Sequence, residues 1–392
     1  MKILIVAMSN SIHTARWIGQ IAGEGWDLHL FPSQDFGAAH PQLSNVTVHH
    51  SIYGAQGEIE RSVRLRGIPV ASRMIAYGAR LMLGRWFPGY RAAQLARLIR
   101  RLRPDVIHSL EFQAAGYLTL EAKRRLGGHL PKWIATNWGS DISLFGRLPE
   151  HQPRIRQVLA ECDFYSCECE RDVALARSHG LRGKALPVSP NTGGIDLALA
   201  RSLRAPGAPS ARRVIMLKGY QGWAGRSLVG LRALARCADA LGGYVVHVYV
   251  PSEEVKLAAA LFTADTGVPT VIVPHGTPHR EILALHGRAR ISLGLSIGDS
   301  ISTSVLEALA MGSFPIQSDT SCAGEWISDG RTGLLVPPED PEAVEAALRR
   351  ALADDALVDR AAEENWATVE ARLDCRVLAP RAVAMYRQVA GG

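Results

Sequence analysis

The chain has 392 residues, 47% of them apolar and 21% charged, with a formal net charge of +7. Such a composition is that of a globular protein, and the length predicts two domains rather than one core. No charge-free apolar run reaches roughly 18 residues, which excludes a membrane-spanning helix. The opening run Ile3–Met8 is too short, and lacks a small-residue cleavage site, for a secretory signal.

In chain order, short apolar strand candidates recur at Ile3–Ala7, Leu28–Phe31, Val46–His49, Val106–Leu110, Trp133–Thr136 and Phe164–Cys167. A second series follows at Val214–Leu217, Tyr244–Val250, Thr270–Val273, Ile291–Leu295, Phe314–Gln317 and Gly333–Val336. Each candidate is followed by a helical stretch, the pattern of parallel, doubly wound sheets. The fold class expected is therefore α/β, with two Rossmann-like domains facing a central cleft and ligands beyond the carboxyl ends of the strands. Pro187 to Arg213 is rich in Pro, Gly, Ser and Ala and reads as a linker. Domains are expected over 1–195 and 196–375, with a helix over 376–392 returning to the first.

Between Arg61 and Arg103 arginines alternate with apolar and aromatic residues such as Met74, Leu81, Trp86 and Phe87. Two readings stand: a solvated helical face, or a surface for anionic lipid headgroups. No nucleic-acid motif accompanies the charge. The six cysteines form no CxxC pair and have no histidine at zinc-like spacing, so buried thiols in a reducing cytoplasm are expected and no metal site is.

The most informative stretch is Ser296-Ile297-Gly298-Asp299-Ser300-Ile301-Ser302-Thr303-Ser304-Val305-Leu306-Glu307, followed by Ala308-Leu309-Ala310-Met311-Gly312-Ser313-Phe314-Pro315. A strand ends, a polar loop follows, and a helix is expected to open near Ser304. The free amides at a helix start suit a diphosphate. Asp299 and Glu307 could then accept hydrogen bonds from sugar and ribose hydroxyls. Ser304-x-x-Glu307 is equally a capping box, in which Glu307 would only close the helix start.

This stretch resembles the acidic-x7-acidic signature of the retaining family-4 glycosyltransferases, which have the GT-B fold, and Gly324-Glu325-Trp326 through Val336 continues it in register. The resemblance implies that Glu307 binds the nucleotide ribose, that Asp299 contacts the donor sugar, and that Ser302, Thr303 and Ser304 cradle phosphate. It also implies cations near the first strand end of the second domain, for which Lys218 and Arg226 are the candidates. Val273-Pro274-His275-Gly276 resembles the turn that meets the base, and Ser9-Asn10-Ser11-Ile12-His13 the first cleft loop, where His13 either bonds the donor or has no role.

Thr136-Asn137-Trp138-Gly139-Ser140-Asp141 departs from the resemblance by placing Trp138 where that family has a histidine. Asn137, Trp138, Asp141 and Glu111 are the acceptor-side candidates. The reaction implied is transfer of a sugar from a nucleoside diphosphate sugar to an acceptor hydroxyl with retention, without cofactor or metal, in bacterial-type glycoconjugate, polysaccharide or glycosylated-metabolite biosynthesis. The acceptor side includes the arginine-rich segment, which suggests a lipid-linked or anionic acceptor and a cytoplasmic protein peripheral to the inner face of a membrane. A sugar-nucleotide epimerase of the same fold and a catalytically silent nucleotide-binding protein are the competing readings.

Overall fold

A computed structural model describes residues 1–391, in two compact units: Met1–Gly194 with the segment from Arg376 on, and Ile195–Cys375. The first unit holds eight parallel strands: β1 Lys2–Ala7, β2 Asp27–Pro32, β3 Thr47–Tyr53, β4 Arg64–Pro69, β5 Val106–Leu110, β6 Lys132–Thr136, β7 Phe164–Ser166 and β8 Lys184–Ala185. They lie in the order β4-β3-β2-β1-β5-β6-β7-β8. The order reverses between β1 and β5, whose register pairs Ile3 with Val106 and Ile5 with His108. Both strands are buried along nearly their whole length, which is why they read as unbroken apolar runs.

The second unit holds six parallel strands: β9 Val214–Lys218, β10 Val245–Tyr249, β11 Thr270–Ile272, β12 Ala289–Gly294, β13 Phe314–Ser318 and β14 Leu334–Val336. Their order is β11-β10-β9-β12-β13-β14, so the direction of winding reverses between β9 and β12. A core of Ile215, Leu217, Leu234, Val246, Ile291 and Leu293, with the inner faces of the flanking helices, fills this unit. Both units are thus doubly wound α/β folds.

Three local expectations change. Strand β4 falls in the arginine-rich segment, for which the sequence offers no strand candidate. It is an exposed edge strand held by its backbone ladder to β3, so no apolar run marks it. His13 lies in the first turn of the helix Ile12–Gly19 rather than in a loop, because the Ser11 hydroxyl caps the helix by accepting from its amide at 3.2 Å. The stretch read as a linker contains the helix Leu197–Leu203, capped by Asp196, whose carboxylate accepts from Ala198 and Leu199 amides.

The helix Cys375–Gly391 carries Tyr386 into the first unit's core. Its hydroxyl accepts from the Trp17 indole at 2.8 Å and bonds His108 Nδ1 at 2.5 Å, while His108 Nε2 reaches Thr136 Oγ1 at 2.5 Å. Burial holds His108 down to about 3, and His49, also crowded by His29, to about 3. In the second unit burial lowers His286 to about 4.

An unfolded chain protonates such histidines near 6.5, whereas the folded chain waits for the lower values. The unfolded state therefore binds more protons between about 6.5 and these values, and each histidine costs stability at about 1 kcal/mol per pH unit on acidification through that window. The melting temperature is accordingly expected to fall steeply from pH 6.5 to pH 4, with proton uptake on unfolding. A melt insensitive to pH across this range would contradict the burial of these three rings.

Candidate nucleotide-sugar site

Strand β9 ends at Lys218, beside the point where the second sheet reverses, and the polar loop after β12 arrives on the other side. Crevices form where a sheet's winding reverses because the connections leave in opposite directions. Here they are zipped together instead of splayed: Arg226 N donates to Leu295 O at 3.0 Å and Ile297 N to Ala224 O at 2.9 Å. Gly225 permits the tight fold of the loop after β9, since a Cβ there would collide with the Tyr220 carbonyl oxygen of the same loop.

The helix Thr303–Met311 opens from this loop with Ser302 at its N-cap. Ser302 does not cap the helix with its side chain. Its hydroxyl accepts from Lys218 Nζ at 2.8 Å and bonds Ser304 Oγ at 2.7 Å. Ser304 lies beside the buried Tyr249 at the end of β10, whose phenol burial pushes well above its usual range. Lysine and two serines therefore form one hydrogen-bonded chain under a helix start that lacks a side-chain cap. Such a start carries outward-pointing amides and partial positive charge.

The capping-box reading fails on position. With Thr303 as the first helical residue, Glu307 is the fifth, beyond the third position from which a side chain reaches back to the cap. Its side chain is 8% exposed and its Oε1 meets His279 Nε2 at 2.6 Å. Asp299 lies near enough to Tyr220 to add to the burial that raises that phenol.

Two candidates are placed otherwise than expected. Arg226 turns to Glu339 Oε1 at 2.9 Å and to the Gly225 carbonyl, and has no bond to the Lys218–Ser302 pair. His275 and Gly276 occupy an exposed turn, with Gly276 at φ 86°, and the histidine that meets Glu307 is His279, four residues on. Sequence reasoning missed His279 and Tyr249. The repeated His in His275-Gly276-Thr277-Pro278-His279 was the available signal for the first. Only the sheet order brings β10 beside β9, so nothing in the sequence marks Tyr249.

In the first unit, Glu111 closes β5 with φ 77° and ψ 154°, a region other residues than glycine rarely occupy. Its carboxylate accepts from the Ala114 amide at 2.8 Å and from that of Ala115. Asp141 Oδ2 accepts from the Phe112 amide at 2.9 Å and the Trp138 amide at 2.8 Å. Burial, and for Asp141 the neighbouring Glu111 carboxylate, raise both acids above the usual range. Asn137 donates to Asp172 Oδ2 at 2.7 Å and is fully buried. Asp141 thus ties the ends of β5 and β6 together, whereas Glu111 closes its own turn and Asn137 reaches the helix Glu170–Ser178 that follows β7. Trp138 is the more open group: half-buried, edge-on to His13 at 5.7 Å, with its indole N–H lacking a partner among the described residues.

Residues 256–366 match the family model for glycosyl transferases group 1, and residues 86–164 that for glycosyl transferase 4-like domains. The whole chain superposes on sucrose-phosphate synthase of Thermosynechococcus elongatus, with a TM-score of 0.70 at 16% identity, covering 99% of each chain. Trehalose 6-phosphate synthase of Burkholderia multivorans gives a TM-score of 0.70 at 16% identity over 100% of this chain and 97% of its own. HepE of Anabaena, in complex with UDP-glucose, gives 0.67 at 13% identity over 99% and 100%. No curated protein sequence matches the chain. The two doubly wound units are those of the GT-B fold. Both segment matches are to glycosyltransferase models, and each lies within one of these two units.

Proposed function

We propose that this protein transfers a hexosyl group from a nucleoside diphosphate sugar to an acceptor hydroxyl with retention of anomeric configuration, in the manner of the family-4 enzymes. The observation that carries the reading is the Lys218–Ser302 bond at the uncapped start of the helix Thr303–Met311, with the buried Glu307 carboxylate further along the same helix. A leaving diphosphate would meet Lys218, the first helix amides and the Ser302 and Ser304 hydroxyls. Preorganised charge of this kind is the usual main source of rate in such reactions.

Glu307, held by His279, would take the ribose hydroxyls, and Asp299 the donor sugar. Retention is assigned to a same-face displacement. The bond from the anomeric carbon to the phosphate oxygen breaks, the acceptor oxygen bonds to that carbon on the same face, and its proton passes to the departing phosphate. Lys218 and the helix amides provide the positive charge at the diphosphate, so the proposed reaction needs no metal. Arg226 would join them only after leaving Glu339. Trp138 stands in place of the histidine of the family pattern, with its indole N–H buried and without a partner among the described residues.

The test is a thermal-shift screen with UDP, GDP, ADP, CMP and dTDP, beginning with UDP because HepE holds UDP-glucose. A ligand that binds only the folded chain at 100 times its Kd adds about 2.7 kcal/mol. One diphosphate is expected to raise the melt, equally with and without a chelator. If none does, the phosphate-site reading falls. If the shift needs a divalent cation, metal independence falls.

A further inference from the structure

The segment between Glu60 and Asp105 contains eleven arginines and not one acidic residue or lysine. Arg73, Arg97 and Arg100 donate from the surface to the Ala55, Ala93 and Arg125 carbonyls, and two of the eleven are withdrawn from the surface: Arg80, which is buried and donates to the Ile52 carbonyl, and Arg91, which pairs with Asp35 at 3.3 Å. The other nine are exposed, and none forms an ion pair with a described residue. Intramolecular salt bridges therefore do not account for this charge.

The helix Arg73–Trp86 lies in the middle of the segment, and its apolar residues are on the wrong side for a water-facing helix. Its core-facing line is Ala76 and Arg80. On the outward arc, Met74 is 77% exposed, Trp86 68% and the following Phe87 63%, with Ile75, Leu81 and Met82 each more than half exposed. An exposed apolar and aromatic arc of this extent marks an interaction surface. Arg85 sits on the same outward arc as Met74 and Leu81, at helical spacings of eleven and four residues. The neighbouring edge strand β4 adds exposed Arg64, Arg66 and Ile68.

An apolar and aromatic face studded with arginine, and wholly free of acid, complements a surface that is apolar beneath and negative on top. We propose that β4 and the helix Arg73–Trp86 form a docking surface for an anionic phospholipid bilayer, with the helix lying in the headgroup plane. Trp86, Phe87, Leu81 and Met82 enter the acyl boundary, and Arg64, Arg66 and Arg85 meet lipid phosphates. The acceptor of the transfer reaction would then be presented at that membrane, a corollary that rests on the function proposed above, whereas the docking itself does not.

The test is flotation of the full chain with vesicles of phosphatidylcholine alone and of phosphatidylcholine mixed with phosphatidylglycerol. Binding is expected only to the mixed vesicles and is expected to weaken as salt rises. Arg64→Glu/Arg66→Glu/Arg85→Glu should weaken it by at least about tenfold, since each cation near such a surface contributes several-fold. Leu81→Ser/Met82→Ser/Trp86→Ser should abolish it at any salt. Both variants should keep the wild-type melt and the nucleotide-induced shift, so failure here is separable from failure of the phosphate site. Absent binding, equal binding to neutral vesicles, or a triple charge reversal that floats like wild type would each overturn the proposal. So would a vesicle-free dimer that the serine variant dissociates, because a second copy would then be what covers the face.

Discussion

Lys218→Ala is expected to lower turnover of the sugar donor by about 10²–10³-fold, the cost of losing one fixed charge aimed at a developing anion. Lys218 terminates β9 at the reversal of the second sheet, and its ammonium donates to the Ser302 hydroxyl. Loss of that bond costs only about 1 kcal/mol of stability, so the melt should move little while kcat collapses. Binding should change in a particular way. The advantage of a nucleoside diphosphate over its parent nucleoside, measured by thermal shift, should shrink, while affinity for the nucleoside persists. Lys218→Arg should restore part of both losses, because the charge returns with altered reach. If kcat and the diphosphate preference both survive Lys218→Ala, the charge at the leaving group comes from elsewhere, and Arg226 released from Glu339 becomes the candidate.

Glu307→Ala is expected to weaken nucleotide binding by about 10- to 100-fold, the range for hydrogen bonds made by a charged group. The geometry separates this from a structural role. As the fifth residue of the helix Thr303–Met311, Glu307 cannot close the helix start, so its removal should not cost a cap. Its carboxylate is nearly buried and bonded to His279, whose side chain remains 34% exposed. His279→Ala should therefore weaken the nucleotide by less than Glu307→Ala, since it frees the carboxylate's position without removing it. Isothermal titration with the diphosphate found in the screen measures both. Unchanged affinity in Glu307→Ala, with a lowered melt, would return Glu307 to a purely structural part.

Part of this arrangement was legible in the chain because it is local. Apolar runs such as Ile3–Ala7 and Ile291–Leu295 mark strands that are buried on both faces, and their alternation with helices implies parallel sheets. The run from Asp299 to Glu307 could be read as loop and helix start from residue types alone. The position of its cap could not. Ser302 and Ser304 are both good caps by type, and residue type does not reveal that the Ser302 hydroxyl is taken instead by Lys218, 84 residues earlier in sequence.

The resemblance likewise pointed to His275 and did not extend to His279, which opens the helix His279–Arg288 four residues on. Strand β4 carries little apolar signal, because an edge strand is held by backbone bonds that any residue supplies. The sequence by itself determined the charge asymmetry, since eleven arginines without an acid between Glu60 and Asp105 need no fold to be counted. Only the tertiary structure decided that the apolar residues among them face outward, because a helix's periodicity shows two faces and the packing alone selects which one the core takes.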